Sequence, residues 1–200
     1  ADADGTDFSQ ETFTIEAWIR NPQNSAPGIF RIQDQVNNWS KEVSFGLDNE
    51  LDQLLLRFTD SSDNLTEVKS SLDTPIDLDP DTWYHVAVTY EGDGQGNDSV
   101  VRFFLDSERE FLPGMAISRP GRLIGEVTGV ADLAEITEST AFFEVGGYRN
   151  SRLFTGWIDE FRYSNVVRDE FNLAFVPEPG SAALLLLGLV ALVGFGRRRK

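Results

Sequence analysis

Before residue 176 the chain is organised by alternation. Phe13, Ile15, Ala17 and Ile19 fall at every second position between Thr12, Thr14, Glu16, Trp18 and Arg20, the period that turns one face of a strand to a core and the other to water. Val43, Phe45 and Leu47 repeat the pattern up to Asp48-Asn49-Glu50, and Leu51 to Phe58 supplies the return strand of a hairpin. Trp83 to Tyr90 and Ser99 to Leu105 predict a second hairpin, because the stretch between them, Glu91 to Asp98, is rich in Gly, Asp and Asn, which tolerate positive φ. Phe142 to Val145, ending on Gly146-Gly147, and Gly156 to Tyr163 predict two more strands. Residues 113–140 alternate weakly and contain several Gly, Pro and Ser, so they are expected to form a long connection carrying one short helix. Val166 to Phe175, with acids and a cation among spaced apolar residues, predicts a short closing helix. Many short strands separated by turns give an all-β antiparallel β-sandwich, with Trp18, Val86, Val88, Phe103 and Ile158 expected between its sheets.

The pattern changes at Val176-Pro177-Glu178-Pro179, where two prolines remove backbone donors and end any preceding element. An uncharged run from Gly180 to Gly196 follows, and the chain ends on Arg197-Arg198-Arg199-Lys200. At about 1.5 Å per residue the run spans roughly 25 Å, the short end of what crosses a bilayer, and the terminal cations can snorkel to headgroups. A buried core helix is the alternative, although core helices rarely end in four cations. A cleaved secretory signal would place its basic residues first and at the other terminus. The run therefore reads as a transmembrane helix over 180–196, with the basic end cytoplasmic and everything before Pro177 across the membrane.

Seventeen basic and 33 acidic side chains give a net charge of −16. Without residues 177–200, which hold four cations and Glu178, the balance is 13 against 32. Such a surface repels phosphates and excludes nucleic acid as a partner, while favouring solubility and divalent cations. The absence of cysteine excludes disulfides, Cys-ligated zinc and thiol catalysis. About 175 residues suit one domain. Export is implied by the tail, yet nothing from Ala1 onward has a basic-then-apolar signal, so the N-terminus is expected to be processed or trimmed.

Val176, Pro177, Glu178 and Pro179, the short apolar run and Arg197, Arg198, Arg199 and Lys200 resemble the PEP-CTERM sorting tail of Gram-negative bacteria. The resemblance implies recognition of Pro177, Glu178 and Pro179 by an exosortase, an integral membrane transpeptidase-like enzyme thought to cut nearby. It also implies a membrane-anchored precursor that is then released to the cell surface. A second resemblance rests on Phe13 to Ile19, Trp83 to Gly92, Val101 to Asp106 and Phe154 to Arg162, which occur in the order seen in laminin G-like domains of the concanavalin A-like lectin/glucanase superfamily. It implies a jelly roll of two antiparallel sheets over residues 1–175, with 176–200 as the sorting signal. In such domains a strand with an Asp-Gly turn precedes the Phe13 segment. Only Ala3-Asp4-Gly5-Thr6-Asp7-Phe8 stands there, so the first edge strand is expected to be absent.

Retaining glucanases of that superfamily carry Glu-x-Asp-x-x-Glu on one strand, alternate positions placing the acids on one face about 5 Å apart. The chain contains no such string, and Asp159-Glu160, as neighbours on a regular strand, would face opposite ways. His85, the one histidine, could serve as a base, but no nucleophile motif such as Gly-x-Ser-x-Gly accompanies it and a satisfied strand residue is the simpler account. A catalyst is not expected. Calcium is the expected cofactor if any: the fold often binds it between an N-terminal Asp-Gly turn and the last strand, which maps to Asp4 and Asp159, though most Asp-Gly pairs are plain turns. Asp93, Asn97 and Asp98 form a second oxygen-rich loop, for which a solvated hairpin is the competing account. Trp18, Trp83 and Trp157 lie in predicted strands and read as packing residues. Trp39, in the polar stretch Gln35 to Ser40, could stack on a sugar whose hydroxyls bond Asn37 and Asn38, or fold back over the sandwich edge. Three function classes follow: a non-catalytic adhesion or recognition module binding an extracellular polysaccharide or surface protein, a degenerate glycan-active enzyme, and a purely structural matrix protein.

Overall fold

A computed structural model of the protein describes residues 12–20, 22, 27–34, 41–48, 50, 52–71, 76–92, 98–107, 118–134, 136, 141–147 and 153–172. All its elements are strands: β1 Thr12–Arg20, β2 Gly28–Asp34, β3 Glu42–Leu47, β4 Leu54–Thr59, β5 Leu65–Lys69, β6 Trp83–Glu91, β7 Ser99–Ser107, β8 Ser118–Pro120, β9 Leu123–Val130, β10 Ala141–Val145, β11 Trp157–Ser164 and β12 Glu170–Asn172. One five-stranded sheet runs β11-β1-β6-β7-β9 and a second runs β10-β2-β3-β4-β5, with β12 and β8 forming a separate two-stranded ribbon. Every described pairing is antiparallel. The result is a β-sandwich of the jelly-roll kind.

The main core lies between the two sheets. Phe13, Ile15, Ala17 and Ile19 of β1 and Val86 and Val88 of β6 meet Phe30, Ile32, Phe45, Leu54, Leu56 and Phe58 from the opposite sheet. The predicted hairpins form as β3/β4 and β6/β7, because in each the apolar set faces inward at the same register. Sequence alternation names neither β2 nor β5. Residues 113–140 are not a helix-bearing connection where they are described: β8 and β9 occupy most of 118–130. The closing helix is also absent from 166–172, where β12 pairs with β8 instead. Glu170 to Asn172 opposes Pro120 to Ser118, so Phe171 is delivered onto the sheet rather than turned along a helix.

Both faces of β1 and β6 are buried, although alternation marked one face as polar. Trp18 is the clearest consequence. It is buried, but outside the sandwich, in a second cluster with Ala87, Phe104 and Phe171 against which Trp83 packs. Val86, Val88 and Phe103 do lie between the sheets, with Ile158 partly buried at the margin. The outer face of the second sheet is polar yet covered: Arg31 reaches Glu42 at 2.9 Å, and Arg57 forms a second ion pair with Glu42 at 3.1 Å. Gly46 has no room for a side chain, since a Cβ there would strike the Pro27 carbonyl oxygen where β2 enters the sheet.

Candidate functional site

The outer face of the first sheet can be built from its register, because directly opposed residues of antiparallel strands share a face. Arg20 stands between Trp157 of β11 and Trp83 of β6. Trp18 stands between Asp159 and His85, and His85 opposes Asp106 of β7. Glu16 stands between Arg162 and Ala87. This order needs the bulge in β11, where the register shifts between Glu16 and Trp18 and Glu160 takes φ +46°. One extra residue lets Ile158, Phe161 and Tyr163 pack against the core while Asp159 and Arg162 share the outer face.

The lower part of this face is closed by residues 166–172, which cross it as a strap. Thr14 clamps the strap twice, its hydroxyl donating to the Val166 carbonyl at 2.6 Å and accepting from the Arg168 N–H at 3.0 Å. Phe171 lies with its ring 5.0 Å from His85 and 5.2 Å from Phe104. The Gly121 N–H donates to the Asp169 carbonyl and ties the β8 end to the same strap.

Glu16 is the electrostatic centre beneath it. Its Oε2 accepts from His85 Nε2 at 3.1 Å, and its Oε1 accepts from Arg168 at 2.9 Å and Arg162 at 3.2 Å. Burial pushes the Glu16 carboxyl pKa up, but the hydrogen bond from His85 and the attraction of His85, Arg168 and Arg162 outweigh burial and hold it below its ordinary 4.5. A carboxylate depressed in the folded state adds stability above its unfolded pKa and loses it as pH falls through the folded value. The melting temperature is therefore expected to drop below about pH 4.5, and the drop should be shallower in Glu16→Gln; equal slopes in melts from pH 6 to pH 3 would remove Glu16 from the account.

The upper end of the face is open. Trp157 is 55 % exposed, on an edge strand, and the Arg20 guanidinium lies over its ring at 5.6 Å. Gly156, at φ +148°, makes the turn into the strand that an L residue would resist. Arg20 is fixed from the other side by Asp81 Oδ1 at 3.3 Å and by the Pro80 carbonyl. Asp81 sits in a pinned turn: its N–H donates to Asp79 Oδ1 at 2.8 Å, Thr82 N–H donates to the Asp79 carbonyl, and Asp79 N–H donates to Tyr84 Oη. An indole, a held guanidinium and an exposed carboxylate thus share one rim.

The structure brings together Asp159, Trp157, Trp83 and Arg20, of which only Asp159 has a ligand-binding expectation from sequence. Trp157 is not a packing residue, being more than half exposed; Trp83 does pack, against the Trp18 cluster. Asp4, Asn37, Asn38 and Trp39, as well as Asp93 and Asn97, lie outside the described residues, and so do Val176, Pro177, Glu178, Pro179, the apolar run and Arg197 to Lys200. Asp98 is described and exposed. Asp159 is exposed and its Oδ1 accepts the Glu160 N–H at 2.8 Å. Among the described residues no group of three or more His, Asp or Glu is placed to hold a metal, so they do not by themselves supply the six to eight oxygens calcium takes. Regular alternation does not hold at Asp159-Glu160, because the bulge falls there. Arg20 and Asp81 carried no sequence signal beyond the position of Arg20 on the polar phase of β1.

A two-sheet jelly roll is an architecture found among lectin domains. A profile of the concanavalin A-like lectin/glucanases superfamily matches residues 1–111, and the chain belongs to that superfamily. Residues 175–200 match the PEP-CTERM protein-sorting motif. No curated protein matches the chain. Among solved structures, the heptameric SAP-like pentraxin of Limulus polyphemus is similar with TM-score 0.53 and 13 % identity, covering 80 % of this chain and 66 % of that one. The CBM40 of the Ruminococcus gnavus IT-sialidase, bound to α2,3 sialyllactose, has TM-score 0.53 and 13 % identity, covering 80 % of each chain. The LG1-3 region of the laminin α2 chain has TM-score 0.52 and 12 % identity, covering 78 % of this chain and 28 % of that one. At such identities the likeness is one of fold.

Proposed function

We propose that the protein is an exported, non-catalytic recognition module that is sorted to the cell surface or extracellular polysaccharide matrix of a Gram-negative bacterium and binds a glycan there. The observation that carries this reading is the division of the outer face of the first sheet. His85 and Glu16, the one histidine and its carboxylate partner, are 2 % and 4 % exposed beneath the strap, out of a substrate's reach. At the open end Trp157, Arg20 and Asp81 offer a stacking surface and hydrogen-bonding groups, with the Asp81 carboxylate engaged by the Arg20 guanidinium. The superfamily and the sorting motif support the same reading. Saturable binding of the full chain, kept in mild detergent, on a glycan array is the expected result. Release of reducing ends from a polysaccharide would favour the degenerate-enzyme reading, and the absence of any saturable ligand would favour a structural matrix protein.

In the same proposal the tail holds the precursor in the inner membrane with Lys200 cytoplasmic until an exosortase cuts near Pro179. Intact mass of the surface protein is expected to exclude the basic end; a surface species still ending at Lys200 would rule out processing. Exchange of the four terminal cations for Glu is expected to disturb topology, because Lys and Arg set the cytoplasmic bias.

A further inference from the structure

We propose that the rim formed by Trp157, Arg20 and Asp81 is a binding site for neutral pyranose chains. The inference rests on the recognition reading above and assigns it a place and a ligand class. Three observations point there. First, the ring is presented rather than merely uncovered: Trp157 is at the edge of its sheet, 55 % exposed, with Arg20 over the ring. Second, the polar partners are already ordered. Arg20 reaches Asp81 and Pro80, and their turn is fastened to β6 through Asp79 and Tyr84, so a ligand meets groups carried on backbone already ordered in folding. Third, Phe171 of the strap packs on the Trp18 and His85 row, whereas in the next row Trp157 stays 55 % exposed.

The chemistry selects the ligand. The C–H face of a pyranose is apolar and stacks on an indole, while its hydroxyls donate to a carboxylate and accept from a guanidinium. Asp81, 86 % exposed, keeps acceptor capacity toward solvent after binding Arg20, and Asp159 shares the outer face on the same strand as Trp157. Among the described residues of the rim the cation, Arg20, is already matched by Asp81, and the chain carries −16 overall. Anionic sugars are therefore repelled, and hydroxyl-rich neutral chains are favoured.

Full-length protein in mild detergent, titrated with laminarin, dextran and galactomannan as neutral probes and alginate as the anionic probe, tests this. At least one neutral polymer is expected to bind saturably, Trp157→Ala to weaken it about tenfold or more, and Trp157→Phe to restore part of the loss. Since Trp157 is largely exposed, Trp157→Ala should keep its far-UV spectrum and melting temperature. Undiminished neutral binding by Trp157→Ala overturns the site while leaving the recognition reading intact. A preference for alginate overturns the ligand class. Binding of no polymer here and no glycan on the array overturns both.

Discussion

Val88→Asp is expected to yield a chain that does not fold. Val88 is fully buried between Ile15 and Phe103 on the core face of β6, in the middle strand of its sheet. A carboxylate there has no described cation to pair with on the core face, whose described members are apolar. The penalty for an unpaired buried charge is several kcal/mol, against a typical total stability of about 5–15 kcal/mol. Loss of the β-type far-UV spectrum and accumulation in the insoluble fraction are the measurements. Val88→Ala, which leaves a small cavity and no charge, should fold with a lower melting temperature; a soluble, cooperatively melting Val88→Asp would contradict the placement of the core.

Glu16→Ala has the second largest expected effect, and its origin is different. It removes no core volume but leaves His85 and Arg168 without the carboxylate they share. Deleting one partner of a fully buried ion pair costs about 3–5 kcal/mol; Arg168 keeps partial access to water, so the expected loss is about 1–3 kcal/mol. Arg162, half exposed, adds little. The variant should stay folded with its urea midpoint lowered, and trypsin should cut after Arg168 sooner, because that side chain is part of the strap's fastening. A midpoint within error of the parent would show that the network is electrostatically neutral in effect.

The two hairpins and β1 were legible because each has one apolar set at period two and a loop of turn-forming residues. β9 was not: only Ile124 and Val130 among its apolar residues are buried, Leu123 is 49 % exposed, and Gly125 and Gly129 interrupt the phase. Gly125 is required where the strand passes the Ser70 and Ser71 backbone, so the feature that made the segment read as a loop is a packing requirement. β12 is three residues long, too short for any period. Trp18 and Trp157 illustrate the harder limit. Both stand on the polar phase of their strands, and what separates buried from exposed is that Phe171 packs on Trp18 while Trp157 stands on the edge strand. Phe171 covers Trp18 from more than 150 positions away in the chain, and no local pattern records that contact. Sequence therefore located the sandwich and the family; its ligand expectation at Trp39, Asn37 and Asn38 lies outside the described residues, and the grouping of Trp157 with Arg20 and Asp81 rests on strand register and a turn that no local pattern records.

The partnership of β1 with β11 and the strap that follows it sets a clock on folding. Bonds such as Thr14 to Val166 and Glu16 to Arg168 each join residues 152 positions apart, and contacts of that separation must pay for closing the intervening chain before they return any energy. All-β domains of this kind fold in milliseconds to seconds, far more slowly than local helical bundles. Until β11 arrives, β1 has an open edge and Glu16 lacks its arginines. The sheet can therefore close only after nearly the whole described domain, through residue 168, is in place.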